Sequence, residues 1–171
     1  MKIVTYPNPV LRAKSEPIVV FDESLLKLAA GMVAAMRKAN GIGLASNQVG
    51  VAVRVILVEI NREVVAARAK RSGTDYRKLL DRSVPLVALV NPELLRSSKE
   101  LDTATEGCLS LPEIEVEVAR PVACKVRAQT LAGKSITIAA KGLYARVLQH
   151  EIDHINGVLI IDRGKAEKIK D

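Results

Sequence analysis

Gln149-His150-Glu151-Ile152-Asp153-His154 is the stretch whose reading decides the rest of the chain. Leu143, Val147, His150 and His154 fall at i, i+4, i+7 and i+11, which is one face of one helix. Lys141-Gly142 opens that helix and Asn156-Gly157 closes it, because Asn and Gly accept the backbone of a helix C-cap. Histidines four apart project from the same side, one turn from each other. Two such ring nitrogens can ligate one ion, and the Glu between them is placed to handle a proton. These are the only two histidines in the sequence, and buried imidazoles need partners.

Working outward, Cys108 sits in a tight turn behind Gly107, as a residue reaching a metal would. Two nitrogens and one sulfur leave a tetrahedral site one position short, and an open position separates catalytic from structural sites. A closed structural site would need a fourth Cys or His, and only Cys124 could supply it. Cys124 lies in an alternating apolar segment and reads as a buried core thiol. Two thiols do not make a disulfide framework.

The bulk numbers bound what can surround this helix. A chain of 171 residues, 49% hydrophobic, folds as one domain with a real core. That core is aliphatic, since there is no Trp, one Phe and three Tyr. No apolar run approaches the roughly 18–20 residues of a membrane span, and the N-terminus has no apolar or amphipathic leader. Lys and Arg exceed Asp and Glu by 26 to 19, a net +7. That excess serves solubility or work near a polyanion such as ribosomal RNA. Basic residues are not interleaved with aromatics, so base readout and DNA binding are not expected.

In chain order, Asp22 is an N-cap for a helix whose apolar residues run from Leu25 to Met36 and which Asn40-Gly41 ends. Gly41-Ile42-Gly43 bends sharply or lets a ligand approach the backbone. Val51–Ile60 reads as a strand. Asn61–Ser83 is a basic, mostly exposed excursion of two short helices or a helix and a loop, broken at Ser72-Gly73. Pro85–Val90 is a short strand and Asn91-Pro92 a turn. Ile114–Val118, Val122–Ala128 and Ser135–Ala139 are further strands, the first alternating and half-buried. Residues 162–171 form a charged tail. The architecture is α+β: a single domain over residues 1–171 with antiparallel β-sheets packed around a central metal-binding helix.

Three blocks resemble peptide deformylase: Gly41-Ile42-Gly43-Leu44-Ala45-x-x-Gln48, Glu106-Gly107-Cys108-Leu109-Ser110 and Gln149-His150-Glu151-x-Asp153-His154. They stand in the family's order, and the resemblance runs from Tyr6-Pro7 to about Ile161. The middle block separates this family from zinc peptidases, whose third ligand normally follows the helix. The resemblance implies removal of the N-formyl group from the N-terminal methionine of nascent peptides, with release of formate. Cys108, His150 and His154 match the family's metal ligands and Glu151 its general acid/base. Gln48 and the backbone N–H of Leu109 match the groups that stabilise the oxyanion. The metal implied is Fe(II), with Zn, Ni or Co able to occupy the site. The compartment implied is bacterial cytoplasm or an organelle of bacterial descent. Another hydrolase using the same helix motif, or an inactive ribosome-associated relative, are the competing readings.

Around these residues, Ile42, Leu143 and Val147 are candidates to line a slot for the methionine side chain, and Arg146 to cover it with its aliphatic stem. Gly43 would let the substrate backbone run alongside as an added strand. Glu106 is expected to anchor the Cys108 turn with Arg120 as partner, and Gln149 to hold nearby loops. Asp153 is expected to accept a ring N–H from a ligand histidine or to tie the helix down by a salt bridge. Three features depart from the commonest family pattern, one being the long spacing from Gln48 to Cys108 that the basic Asn61–Ser83 excursion creates. Ile114-Glu115 stands where a basic or aromatic residue often helps hold the peptide. Only 17 residues follow His154, where many bacterial members carry a long helix that docks on the ribosome. The basic insertion 61–83, with Arg163, Lys165, Lys168 and Lys170, is expected to replace that helix as the ribosome contact.

Overall fold

The computed structural model describes residues 1–72, 83–164 and 166–168. Asp22 caps helix α1 (Glu23–Lys38) by accepting from the N–H groups of Ser24 and Leu25. Asn40 follows it with φ 52°, the left-handed conformation that Asn tolerates. Strand β1 (Gly43–Ala45) pairs antiparallel with β2 (Val55–Ile60). The expected strand over Val51–Ile60 therefore starts later. Helix α2 (Arg62–Ser72) begins the basic excursion; it is not wholly exposed, because Val65 is buried in the main core. Residues 73–82, which carry the rest of that excursion, lie outside the described residues.

Strand β3 (Val84–Ser97) runs straight through the turn expected at Asn91-Pro92. Its pairing with strand β6 (Ala123–Gln129) shifts register between Val90 and Glu93, so the chain bulges there rather than reversing. Asn91 takes φ 50° at this point and clamps Ile18, accepting from its N–H and donating to its C=O at 2.8 Å each. Pro92 has no N–H to contribute to a ladder and is tolerated at a bulge. Strands β4 (Leu101–Cys108), β5 (Leu111–Pro121), β6 (Ala123–Gln129) and β7 (Ser135–Lys141) follow. Helix α3 (Gly142–Ile155) comes next, then a short strand β8 (Ala166–Lys168). The expected tail thus contains a strand: β8 pairs with β5, with Glu115 opposite Glu167. Lys165 and Lys170 lie outside the described residues.

Among the described residues the strands form two antiparallel sheets, one ordered β1-β2-β3-β6-β7 and the other β4-β5-β8. Strand β2 shows why the layers stack as they do. Its side chains alternate, with Val55 and Leu57 packing with Met32 and Met36 of α1. Ile56, Val58 and Ile60 pack with Leu143, Val147, Leu148 and Ile152 of α3. Helix α3 also meets β5 of the smaller sheet. It is buried nearly all round, as a helix between layers must be.

The candidate metal centre and its cleft

Because α3 is buried over most of its surface, most of its polar residues must be answered from within the protein. His150 and His154 lie on α3 with ring centroids 5.0 Å apart. Strand β4 ends at Cys108, whose Sγ sits 3.2 Å from His154 Nε2. Cys108, His150 and His154 each offer a ligand atom, and these atoms lie within 4.8 Å of one another. Two donors of one tetrahedral ion with bonds of about 2.0–2.3 Å stand ~3.5 Å apart, close to the Cys108–His154 spacing. Cys124 is elsewhere, its thiol directed to Ala145 O in the core and pushed up to about 11 by burial.

The two rings are held differently. His150 Nδ1 meets Glu106 Oε2 at 2.9 Å, which leaves Nε2 for a ligand. His154 Nδ1 is buried without a hydrogen-bond partner. Burial drives the His154 imidazole well below its ordinary pKa, reinforced by the charges of His150 and Arg120, so it stays neutral. Burial also lowers His150, but hydrogen bonds with Cys108 and Glu106 and the charge of Glu151 outweigh it and raise it well above. A thiolate, two imidazoles and a carboxylate behind one of them are the donor chemistry of a borderline-soft divalent ion, so these residues fit one.

Glu106 is the hub behind the Cys-His cluster. Its carboxylate is 4% exposed and receives Arg120 Nε at 2.6 Å and Arg120 Nη2 at 2.9 Å. It also receives Arg146 Nη1 at 2.7 Å, besides His150. Burial would raise its pKa, but the bonds from His150 and Arg120 hold it well below the usual carboxylate range. Arg120 Nη1 continues to Asp153 Oδ2 at 2.8 Å, and Asp153 also pairs with Arg163. Asp153 thus ties the helix down by salt bridges and does not orient a ligand histidine; Glu106 does that. Arg163, expected among the free cations of the tail, is engaged by Asp153. Gln149 donates to Pro121 O at 3.0 Å, holding the end of β5.

In front of the ligands lies a cleft of about 510 Å³, including space open to solvent. Ile42, Gly43, Leu143, Arg146 and Val147 all line it, as do Gln48, Leu109 and Glu151. Arg120, Asp153 and His154 do not. A Cβ added to Gly43 would fall 2.3 Å from Glu151 Oε1 and 2.9 Å from Val147 Cγ1. The bare backbone of β1 is therefore what lets the Glu151 carboxylate lie where it does. Gln48 belongs to a buried 3₁₀ turn, Ser46–Val49. Its Oε1 accepts from Ala45 N at 2.8 Å, which fixes the amide and aims Nε2 at Ser110 Oγ, 3.1 Å, and Cys108 Sγ, 3.5 Å.

Two residues escape the reading of the sequence. Asn47 Nδ2 donates to His154 O and so holds the last turn of α3. Ser110, fully buried, orients Gln48, while its carbonyl accepts from Tyr6 N. The available signal was the polar run Ser46-Asn47-Gln48 between two apolar stretches, since a buried polar run must be bonding something.

Comparisons with known proteins give the family. A sequence model of the family described as polypeptide deformylase matches residues 1–170. The peptide deformylase of Opitutus terrae is 42% identical over 165 residues, 95% of this chain and 84% of that one. Peptide deformylase 1B, chloroplastic, of Oryza sativa is 39% identical over 163 residues, 95% of this chain and 54% of that one. A class I type b peptide deformylase from Acinetobacter baumannii, solved with Met-Ala-Ser bound, superposes with a TM-score of 0.81 at 31% identity. The alignment covers 94% of this chain and 96% of that one. The peptide deformylase of Thermotoga maritima gives 0.78 at 37%, covering 95% and 96%. With the family model matching residues 1–170 and 42% identity to a relative over 95% of this chain, the chain belongs to the polypeptide deformylase family.

Proposed function

We infer that Cys108, His150 and His154 hold one divalent metal ion, and that Glu151, Gln48 and the Leu109 N–H carry out the deformylation beside it. The reaction is hydrolysis of the N-formyl group from the N-terminal methionine of newly made proteins, releasing formate. The observation that supports the assignment is that Cys108, His150, Glu151 and Gln48 line one cleft. When bound, the ion would supply a Lewis acid and lower the pKa of a water to about 7. Glu151 takes the proton of the attacking water and returns it to the leaving amine as the C–N bond breaks. Gln48 Nε2 and the Leu109 N–H donate to the oxyanion that develops on the formyl oxygen. Ala45 N holds the other end of the Gln48 amide, so only an N–H of Nε2, now directed at Cys108 Sγ or Ser110 Oγ, has to turn toward the oxyanion.

Ile42, Leu143 and Val147 form the apolar wall for the methionine side chain. Strand β1 is an edge of its sheet, so the peptide backbone can add beside Gly43 as a further strand. The Met-Ala-Ser complex of the A. baumannii relative supports a peptide in the matching cleft. The sulfur ligand suits Fe(II) or Zn, and Fe(II) is the physiological ion in this reading. The peptidase and inactive-relative readings are not favoured by the family match. The site of work is bacterial cytoplasm or an organelle of bacterial descent. Transient ribosome contact through Asn61–Ser83 belongs to the same reading. Deleting residues 74–82 should weaken co-sedimentation with ribosomes and flatten its salt dependence; an unchanged slope would sink that contact.

Formate release from formyl-Met-Ala-Ser, by protein loaded anaerobically with Fe(II), tests the catalytic reading. Glu151→Ala should lower the rate by about 10²–10⁴-fold while the ion stays bound. Full activity in that variant would overturn the mechanism.

A further inference from the structure

We propose that Arg146 is a positioning residue for the metal centre, locking the Glu106 carboxylate and through it the His150 ring. The proposal rests on the metal-binding reading above. Arg146 lines the cleft, but its guanidinium is engaged inside the protein. Nη1 donates to Glu106 Oε1 at 2.7 Å and to Val118 O at 2.9 Å. Nη2 donates to Asp102 O at 2.7 Å and Asp102 Oδ2 at 3.2 Å. Two of these acceptors are main-chain carbonyls, one on β4 and one on β5. The head is therefore fixed to the backbone of the smaller sheet as well as to the Glu106 and Asp102 side chains. A guanidinium recruited to bind peptide would keep its terminal donors for the peptide; here both terminal nitrogens are occupied, and the stem is what serves the cleft.

Helix α3 holds Glu106 at two points. Arg146 and His150 are four residues apart on it and so lie on one side. Arg146 takes Oε1 and His150 takes Oε2 of the same carboxylate. Arg120 grips both oxygens from β5. The result is a carboxylate that can neither swing nor slide, facing a ring whose Nδ1 proton it fixes and whose Nε2 it leaves for the ion. Without the Arg146 head, α3 would meet Glu106 through the His150 ring alone.

Two effects of removing that head oppose each other. A cation lost from Glu106 leaves a more basic acceptor for His150, which would tighten metal binding. A carboxylate lost from its fixed orientation loosens it. Four bonds at short distance, two of them to main chain, argue that orientation wins.

The test uses the holoenzyme loaded with Co(II), whose visible absorption reports ligand geometry. Arg146→Met keeps the stem and removes the head. The expected result is a 10–100-fold fall in kcat, KM for formyl-Met-Ala-Ser within about twofold, and metal release to a chelator faster by about 10–100-fold, the usual range for groups behind a ligand. The Co(II) bands should shift. Arg146→Lys keeps the charge but cannot reach both carbonyls and Glu106 at once. It should fall between the two, and it carries the same readouts if the Met variant does not fold. A raised KM with kcat and metal release unchanged would make Arg146 a peptide contact and overturn the proposal. Slower metal release would show that charge wins and overturn it as well. A wild-type protein that holds no ion would remove the metal reading itself, and the proposal with it.

Discussion

The two sides of His150 differ in almost every physical respect. Behind Nδ1 lies a sealed charge network, in which Glu106, Arg120, Arg146, Asp153, Arg163 and Asp102 answer one another. In front of Nε2 lies an open cleft walled by Ile42, Leu143 and Val147, with Glu151 and Gln48 also in its lining. A catalytic centre must hold its ligands rigidly and yet admit a substrate. Here the sheet side supplies rigidity through bonded charges, and the β1 side supplies access through missing side-chain volume at Gly43. The centre of that network is costly to disturb because Glu106, Arg120 and Arg146 are buried, whereas Asp102 and Arg163 at its edge reach solvent.

That contrast orders the expected effects of mutation. Glu106→Gln strikes the sealed side hardest. It leaves Arg120 and Arg146 buried beside a neutral group, and breaking a buried pair from one side costs about 3–5 kcal/mol. Urea unfolding at neutral pH measures it, and a change under about 1 kcal/mol would contradict the network's importance. The pH dependence has a definite sign. The folded-state pKa of Glu106 is depressed, so its contribution is full above the unfolded carboxylate pKa and is lost as pH falls through the folded value.

Gly43→Ala strikes the open side. Its Cβ would land 2.3 Å from Glu151 Oε1, so Glu151 must move. Overpacking of this kind costs about 1–3 kcal/mol. Formate release should fall at least about tenfold, since a 1 Å misplacement can cost 10², while metal content is unchanged. Wild-type activity in the variant would show that Glu151 has no fixed place against β1. The smallest effect belongs to a pair outside both regions. Arg127 and Glu93 meet across β6 and β3 with 57% of each side chain exposed. A double-mutant cycle should return a coupling of about 0.2–1 kcal/mol. A larger value would blur the distinction between sealed and solvated charge.

What could be read from the sequence follows the range of the interactions. Local signals sufficed for the Asp22 cap, the ends of α3, the alternation in β5 and the pairing of two histidines on one helix face. The third member of the Cys-His cluster comes from a distant block; the turn expected at Gly107-Cys108 falls instead at Leu109-Ser110, just past the end of β4. Contacts between α3 and the β4–β5 pair did not announce themselves. Glu106 stands 44 residues before His150, and nothing in either neighbourhood says that the carboxylate reaches the ring. For the same reason Arg146 reads as a stem beside the cleft, and the destination of its head stays hidden. The turn expected at Asn91-Pro92 is the opposite case, where a strong local signal was absorbed by a bulge because Asn91 found Ile18 across the fold.

The central claim is a three-ligand site with one sulfur and two imidazoles on and beside α3. X-ray absorption of the Zn-loaded protein reads that ligand set directly. The account predicts one sulfur at about 2.3 Å and two imidazole nitrogens at about 2.0–2.1 Å, with the remaining position filled by a light atom. Cys124→Ser should leave the spectrum unchanged. Two sulfurs in the first shell, or a spectrum that survives Cys108→Ser intact, would contradict it.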